Sequence, residues 1–143
     1  MKLILLIIII LAIFVTNALC EIDERAHIMI ESSGNQYAVG KDGERGLYQC
    51  SPIGLRDYNN SHPECPLTPD DLFSRVWSHK VWNWMVTVMI PRRLEFYQVE
   101  ITDTNVLFAY NLGCYALSTG KTNPRYVERY YEAVGKYNNK EGE

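Results

Sequence analysis

The stretch His27-Ile28-Met29-Ile30-Glu31-Ser32-Ser33-Gly34 decides how the chain is read. Three apolar residues precede one carboxylate, and a glycine follows three residues later. As a helix, this places Glu31 in the last turn, where the C-terminal end carries about half a negative charge. An anion is disfavoured there, and apolar neighbours raise a carboxyl pKa further. A carboxyl that keeps its proton near neutral pH is what a general acid requires.

Helical punctuation recurs on both sides of that stretch. Asp23 can cap the helix that ends near Gly34. A loop follows over residues 35–46, and its three glycines permit positive φ and close backbone approach. Leu47 to Cys50 is a short extended or helical piece. Ser51-Pro52 reads as N-cap and first residue of a second helix, which ends near Asn59-Asn60. Thr68-Pro69 repeats the signal, with Asp70 and Asp71 complementing the helix dipole. Leu72, Phe73, Val76, Trp77, Val81, Trp84, Met85 and Val88 then recur at helical spacing, which predicts a long central helix closed by Pro91. Trp77 and Trp84 are expected in the core and Trp82 at the surface. Residues 92–100 read as a short helix or linker. Thr102 or Asp103 caps a helix that stops at Gly113, and Asn123-Pro124 opens the last one. That helix carries Tyr126, Val127, Tyr130, Tyr131 and Val134 mostly on one face, and the chain is expected to fray from Asn138. The expected class is mainly α, about five to six helices, with at most a minimal β element near residues 36–50.

The N-terminus has a different character. Lys2 is followed by the apolar run from Leu3 to Val15, thirteen residues. That length suits a signal peptide and falls short of the roughly 18–20 residues of a membrane span. Ala18 and Cys20 fit the small positions of a cleavage site before Glu21. The organisation expected is a signal peptide over 1–20, one domain over 21–137 and a polar tail over 138–143, with secretion or periplasmic residence. If the segment were retained, it would serve as a membrane anchor. Cys50, Cys65 and Cys114 would remain after cleavage; one disulfide and one free thiol is the simplest arrangement, with the pairing open. Zinc binding by His62, Cys65 and Cys50 matches no established spacing, and no metal or cofactor is expected. His27, His62 and His79 show no nucleophile or metal pattern. The net charge is −3, from 14 basic and 17 acidic residues, with no basic tract, so nucleic acid is not an expected partner.

Three internal segments carry chemistry together: Glu31-Ser32, Gly46-Leu47-Tyr48-Gln49 followed by Pro52, and Ala109-Tyr110-Asn111-Leu112-Gly113. A fourth, Tyr126-Val127, lies in the last helix. In this order and spacing they resemble the lytic transglycosylase (SLT) family, with goose-type lysozymes as more distant relatives. The resemblance covers about Asp23 to Tyr137. It implies a lysozyme-like fold and a monomer that acts on peptidoglycan glycan strands without a cofactor. Glu31 would be the single acid/base. It would protonate the glycosidic oxygen between N-acetylmuramic acid and N-acetylglucosamine, then take the proton of the muramyl C6 hydroxyl as a 1,6-anhydro ring closes. Ser32 and Gln49 would bind or orient the sugar, with Tyr110 and Asn111 on the opposite wall. Tyr126 would contact the neighbourhood of the acid, with Tyr130 and Tyr131 as rivals.

The chain departs from the family pattern at Tyr48, where methionine is usual, and at Leu112, where a small residue is usual. Gly34 and Asn35 stand where an aromatic is usual. Ordinary glycosidases use two carboxylates. Goose-type lysozymes have an aspartate two residues after the motif glutamine, and Ser51 is found there. Asp42 and Glu44 in the glycine-rich loop could position a water, or be solvated loop charges. The rival expectations are therefore a hydrolytic lysozyme and a non-catalytic wall-binding module.

Overall fold

The computed structural model describes residues 21–140, with the side chain of residue 140 excepted. The expected signal peptide and its cleavage site lie outside the described residues. The fold is mainly α. Its elements are α1 (Glu24–Ser32), α2 (Pro52–Ser61), a 3-10 turn (Pro69–Phe73), α3 (Arg75–Trp84), a π turn (Met85–Met89), α4 (Ile90–Phe96), α5 (Asp103–Leu112), α6 (Cys114–Ser118) and α7 (Pro124–Lys140). No helix among the described residues is long and apolar enough to cross a membrane.

The capping residues expected from the sequence perform as such. The side chains of Asp23, Ser51 and Thr102 accept from the backbone N–H groups of Ala26, Gly54 and Asn105. Thr68 and Asp71 form a capping box at the 3-10 turn, and the Thr68 N–H and hydroxyl, both donating to the Asp71 carboxylate, hold its pKa below the usual value. α1 ends where Ser33 turns left-handed, at φ 53°.

The central helix departs from expectation. Pro91 does not close it; α3, the π turn and α4 run on continuously to Phe96. Proline lacks an N–H and crowds the carbonyl four residues back. The helix widens just before Pro91, and the Ile90 N–H bonds to the Met85 carbonyl five residues earlier. The buried face also differs, consisting of Ser78, Val81, Trp82, Met85, Val86, Ile90 and Leu94. Trp82 is only 4% exposed, whereas Val76 is 62% exposed. Trp77 and Trp84 are half-buried, packed on the rim of the core. Trp82 is drawn in because Tyr48 stacks on it at 4.9 Å and its indole N–H finds a buried acceptor in His27.

α1 packs along α7, and α5 bridges α4, α6 and α7. On α7 the buried residues are Tyr126, Tyr130 and Ala133, while Tyr131 is exposed; the helix continues through the expected fraying point at Asn138. The glycine-rich loop is pinned by two antiparallel bridges, Val39 with Arg45 and Arg45 with Cys50. The Gly46 N–H donates to the Ala38 carbonyl at 3.0 Å.

The expected disulfide is not formed. Cys50, Cys65 and Cys114 are all free thiols. Cys50 points into the core, with its sulfur near the Ser78 carbonyl and 3.7 Å from the Tyr110 hydroxyl, while Cys65 lies exposed beyond α2.

Candidate active site

The helix end that carries Glu31 opens on a cleft of about 170 Å³. Glu31, Glu44, Gln49, Ser51, Met85, Tyr110 and Asn111 line it. Ser51, Met85, Tyr110 and Asn111 also line an adjoining cavity of about 240 Å³, which reaches Asp57 and Arg93. The two form one groove along α2, the π turn and the end of α5. Its far end holds the Arg93–Asp57 ion pair, at 2.6 Å.

Gln49 reaches the cleft through the pinned loop, with its own backbone left-handed at φ 49°. Its side-chain amide donates to the carbonyls of Ala38 and Gly46, at 3.1 and 2.9 Å. Both amide hydrogens are thereby used, and the carbonyl oxygen remains as the group a ligand can meet. Asn111 has the reverse polarity. Its side-chain oxygen accepts from Asn123 at 2.9 Å, which leaves its amide N–H groups to donate.

Tyr110 lines the cleft, and its hydroxyl is turned to the Tyr48 carbonyl at 2.6 Å. Burial, with the nearby Cys50 and Glu31, pushes its phenol well above the usual range. Burial likewise pushes the Cys50 thiol up to about 12.

The Glu31 carboxylate is held from below. Tyr126 donates its hydroxyl to Glu31 Oε1, the one of the two Glu31 oxygens that accepts a hydrogen bond from the described residues. Tyr126 is buried, so it lies beneath Glu31 rather than on the wall of the cleft. Burial, and then the Glu31 charge, raise its pKa well above the usual range, which keeps the donating proton in place.

Beneath Tyr126 lies His27, one turn before Glu31 on the same face of α1. Its Nε2 is 2.9 Å from the Tyr126 hydroxyl and 3.5 Å from Glu31 Oε1. Trp82 donates to its Nδ1 at 2.7 Å. Neither residue was a candidate from sequence. The available signal was the four-residue step from His27 to Glu31, which puts both on one helix face.

The other candidates divide. Glu44 is in the cleft, with its carboxylate accepting from the Asp42 N–H at 3.0 Å. It folds against Gly40, where an added Cβ would lie 2.2 Å from Glu44 Oε2. Asp42 itself points away, 72% exposed beside Lys41. Ser32 does not line the cleft; its hydroxyl bonds back to the Ile28 carbonyl at 3.3 Å. Among the described residues, no group of three or more His, Cys, Asp or Glu side chains is arranged to hold a metal ion.

Comparison with protein-family models, curated proteins and solved structures finds no match to this chain.

Proposed function

We propose that this protein is a peptidoglycan-cleaving enzyme of lysozyme-like fold, exported to act on glycan strands, with Glu31 as its acid/base. The observation that carries the reading is Glu31 itself: a carboxylate at a helix C-terminus, held on one oxygen by a buried tyrosine, with its other oxygen available to a groove. A groove of this form suits an extended chain better than a compact ligand. Within it, Gln49 offers an acceptor and Asn111 a donor, the pair needed to bind both ends of an acetamido group.

The reaction we favour is transglycosylation. Protonated Glu31 gives its proton to the bridging glycosidic oxygen as the C1–O bond breaks and positive charge develops on the muramyl ring. The carboxylate left behind takes the proton of the muramyl C6 hydroxyl as that oxygen bonds to C1. Glu31 ends deprotonated before C6 attack and protonated after it, so one group completes the cycle. Holding the C6 hydroxyl near C1 supplies the effective concentration that an activated water would otherwise need.

One observation favours hydrolysis as a second reading. Glu44 shares the cleft with Glu31 and could orient a water, as the second carboxylate of ordinary glycosidases does.

The test is lysis of purified cell walls, with mass spectrometry of the released fragments. Glu31→Gln is expected to keep the fold and abolish cleavage; retained cleavage removes Glu31 from the role. Anhydro-muramyl ends identify transglycosylation, whereas reducing ends, heavier by one water, identify hydrolysis. Hydrolysis through Glu44 further requires that Glu44→Gln lose activity. Wall binding without cleavage by the wild type would point to a non-catalytic module.

A further inference from the structure

The buried imidazole below the acid has no part in the reaction as written. His27 is fully buried, at the meeting point of α1, α3, α5 and α7. Its ring is enclosed by Tyr110 at 4.6 Å, Trp82 at 5.9 Å, and Tyr126 and Tyr130 at 6.4 Å between centroids. Both ring nitrogens are occupied. We propose that His27 is a positioning residue: clamped by Trp82, it sets the direction of the Tyr126 hydroxyl and so fixes the Glu31 carboxyl. The proposal rests on the reading of Glu31 as the acid/base and deepens it.

The polarity of the chain follows from one group that has no choice. An indole N–H only donates. At 2.7 Å from Trp82, His27 Nδ1 must therefore accept, and the ring hydrogen resides on Nε2. The closer oxygen to Nε2 is the Tyr126 hydroxyl at 2.9 Å, with Glu31 Oε1 farther at 3.5 Å. The phenol oxygen accepts from His27, and its single hydrogen is then directed to Glu31 Oε1. Every donor has an acceptor, from Trp82 through His27 and Tyr126 to Glu31. With the other tautomer, two N–H groups would face each other at 2.7 Å inside the core, a strongly penalised arrangement. The carboxyl is thus held in one rotation, with Oε2 left to meet the substrate.

Two measurements test this. The first is nitrogen-15 NMR of the histidine rings in the wild-type protein. It needs no substrate and no variant. An Nε2–H tautomer for His27 supports the clamp, and an Nδ1–H tautomer overturns it, whatever the activity proves to be.

The second is a double-mutant cycle on turnover of solubilised glycan strands. His27→Leu is expected to lower kcat by roughly ten- to a hundredfold, with KM little changed. In a Tyr126→Phe background it should cost nothing more, because the link it acts through is already gone. His27→Gln keeps an acceptor and a donor on one amide and should regain much of the loss. An equal loss from His27→Leu with and without the Tyr126 hydroxyl would make His27 merely structural and overturn the proposal. A wild type that shows the Nε2–H tautomer but cleaves no glycan would support the clamp and remove the enzymatic reading, so the two failures are distinct.

Discussion

At the scale of single residues, the site depends on a backbone position that no other amino acid suits. Gly46 has φ +78°, and a Cβ added there would lie 2.0 Å from the Leu72 carbonyl oxygen. Both the left-handed backbone and the close approach require glycine. Gly46→Ala is therefore expected to destabilise the fold by at least about 1–3 kcal/mol, read as a lower urea midpoint. The Gly46 carbonyl also receives the Gln49 amide, so under the proposed function the same substitution should weaken binding of glycan strands. A stable variant with undiminished affinity would show that the loop is not held as described. Gln49, Tyr110, Asn111 and Glu31 fall in short motifs, and all four line the cleft. His27 carried only the four-residue step to Glu31 as a local mark, and Trp82 carried none, because a lone tryptophan in a helical pattern has no local mark of its partner. Trp82 was expected outside for the same reason: its burial depends on Tyr48 and His27, which are distant in sequence.

At the scale of elements, the helix from Arg75 to Phe96 is the instructive case. Its apolar residues offer two overlapping faces, and periodicity alone favours the one containing Val76 and Trp84. The protein buries the face with Ser78 and Trp82, where Cys50 and Tyr48 pack against it. The π turn then carries this face past Pro91 to Leu94, which is fully buried, whereas Phe96 is 79% exposed. Leu94→Ala should cost about 2–5 kcal/mol by leaving a cavity. Phe96→Ala should stay within about 0.5 kcal/mol, as surface changes usually do. Thermal unfolding of the two variants separates a continuous helix from a linker after Pro91, since in a linker neither substitution would matter much. The capped helix starts at Asp23, Ser51 and Thr102 were legible because capping side chains act within three residues. The widened turn was not, since a proline in a helical pattern more often marks an end than a register shift.

At the scale of the whole molecule, several buried groups favour their neutral forms. Burial holds the Cys50 thiol up from 9.0 to about 12 and the Tyr130 phenol up from 10.0 to about 12. Burial also raises Tyr48, Tyr110 and Tyr126, with neighbouring carboxylates contributing. The unfolded chain releases these protons at ordinary pKa values, while the folded chain retains them. Folding stability is therefore full below about pH 9 and falls as pH rises toward 12 and beyond. Denaturant midpoints compared at pH 8, 10 and 11 should decline across the series; a flat series would contradict this account.

The chain's own local chemistry determined that the protein is helical, where several of its capped helices begin, and that Glu31 stands at a helix terminus near a glycine-rich loop. These properties depend on interactions spanning a few residues, so they can be read in order. Tertiary structure alone decided that Cys50 faces the core as a free thiol, that Glu44 shares the cleft and Asp42 does not, and that Trp82, His27 and Tyr126 line up behind Glu31. Those last three residues are 55 and 99 positions apart along the chain, and no local pattern encodes a contact at that distance. They meet because α1, α3 and α7 all bury residues in one core, and the polar groups carried inward must then find partners there.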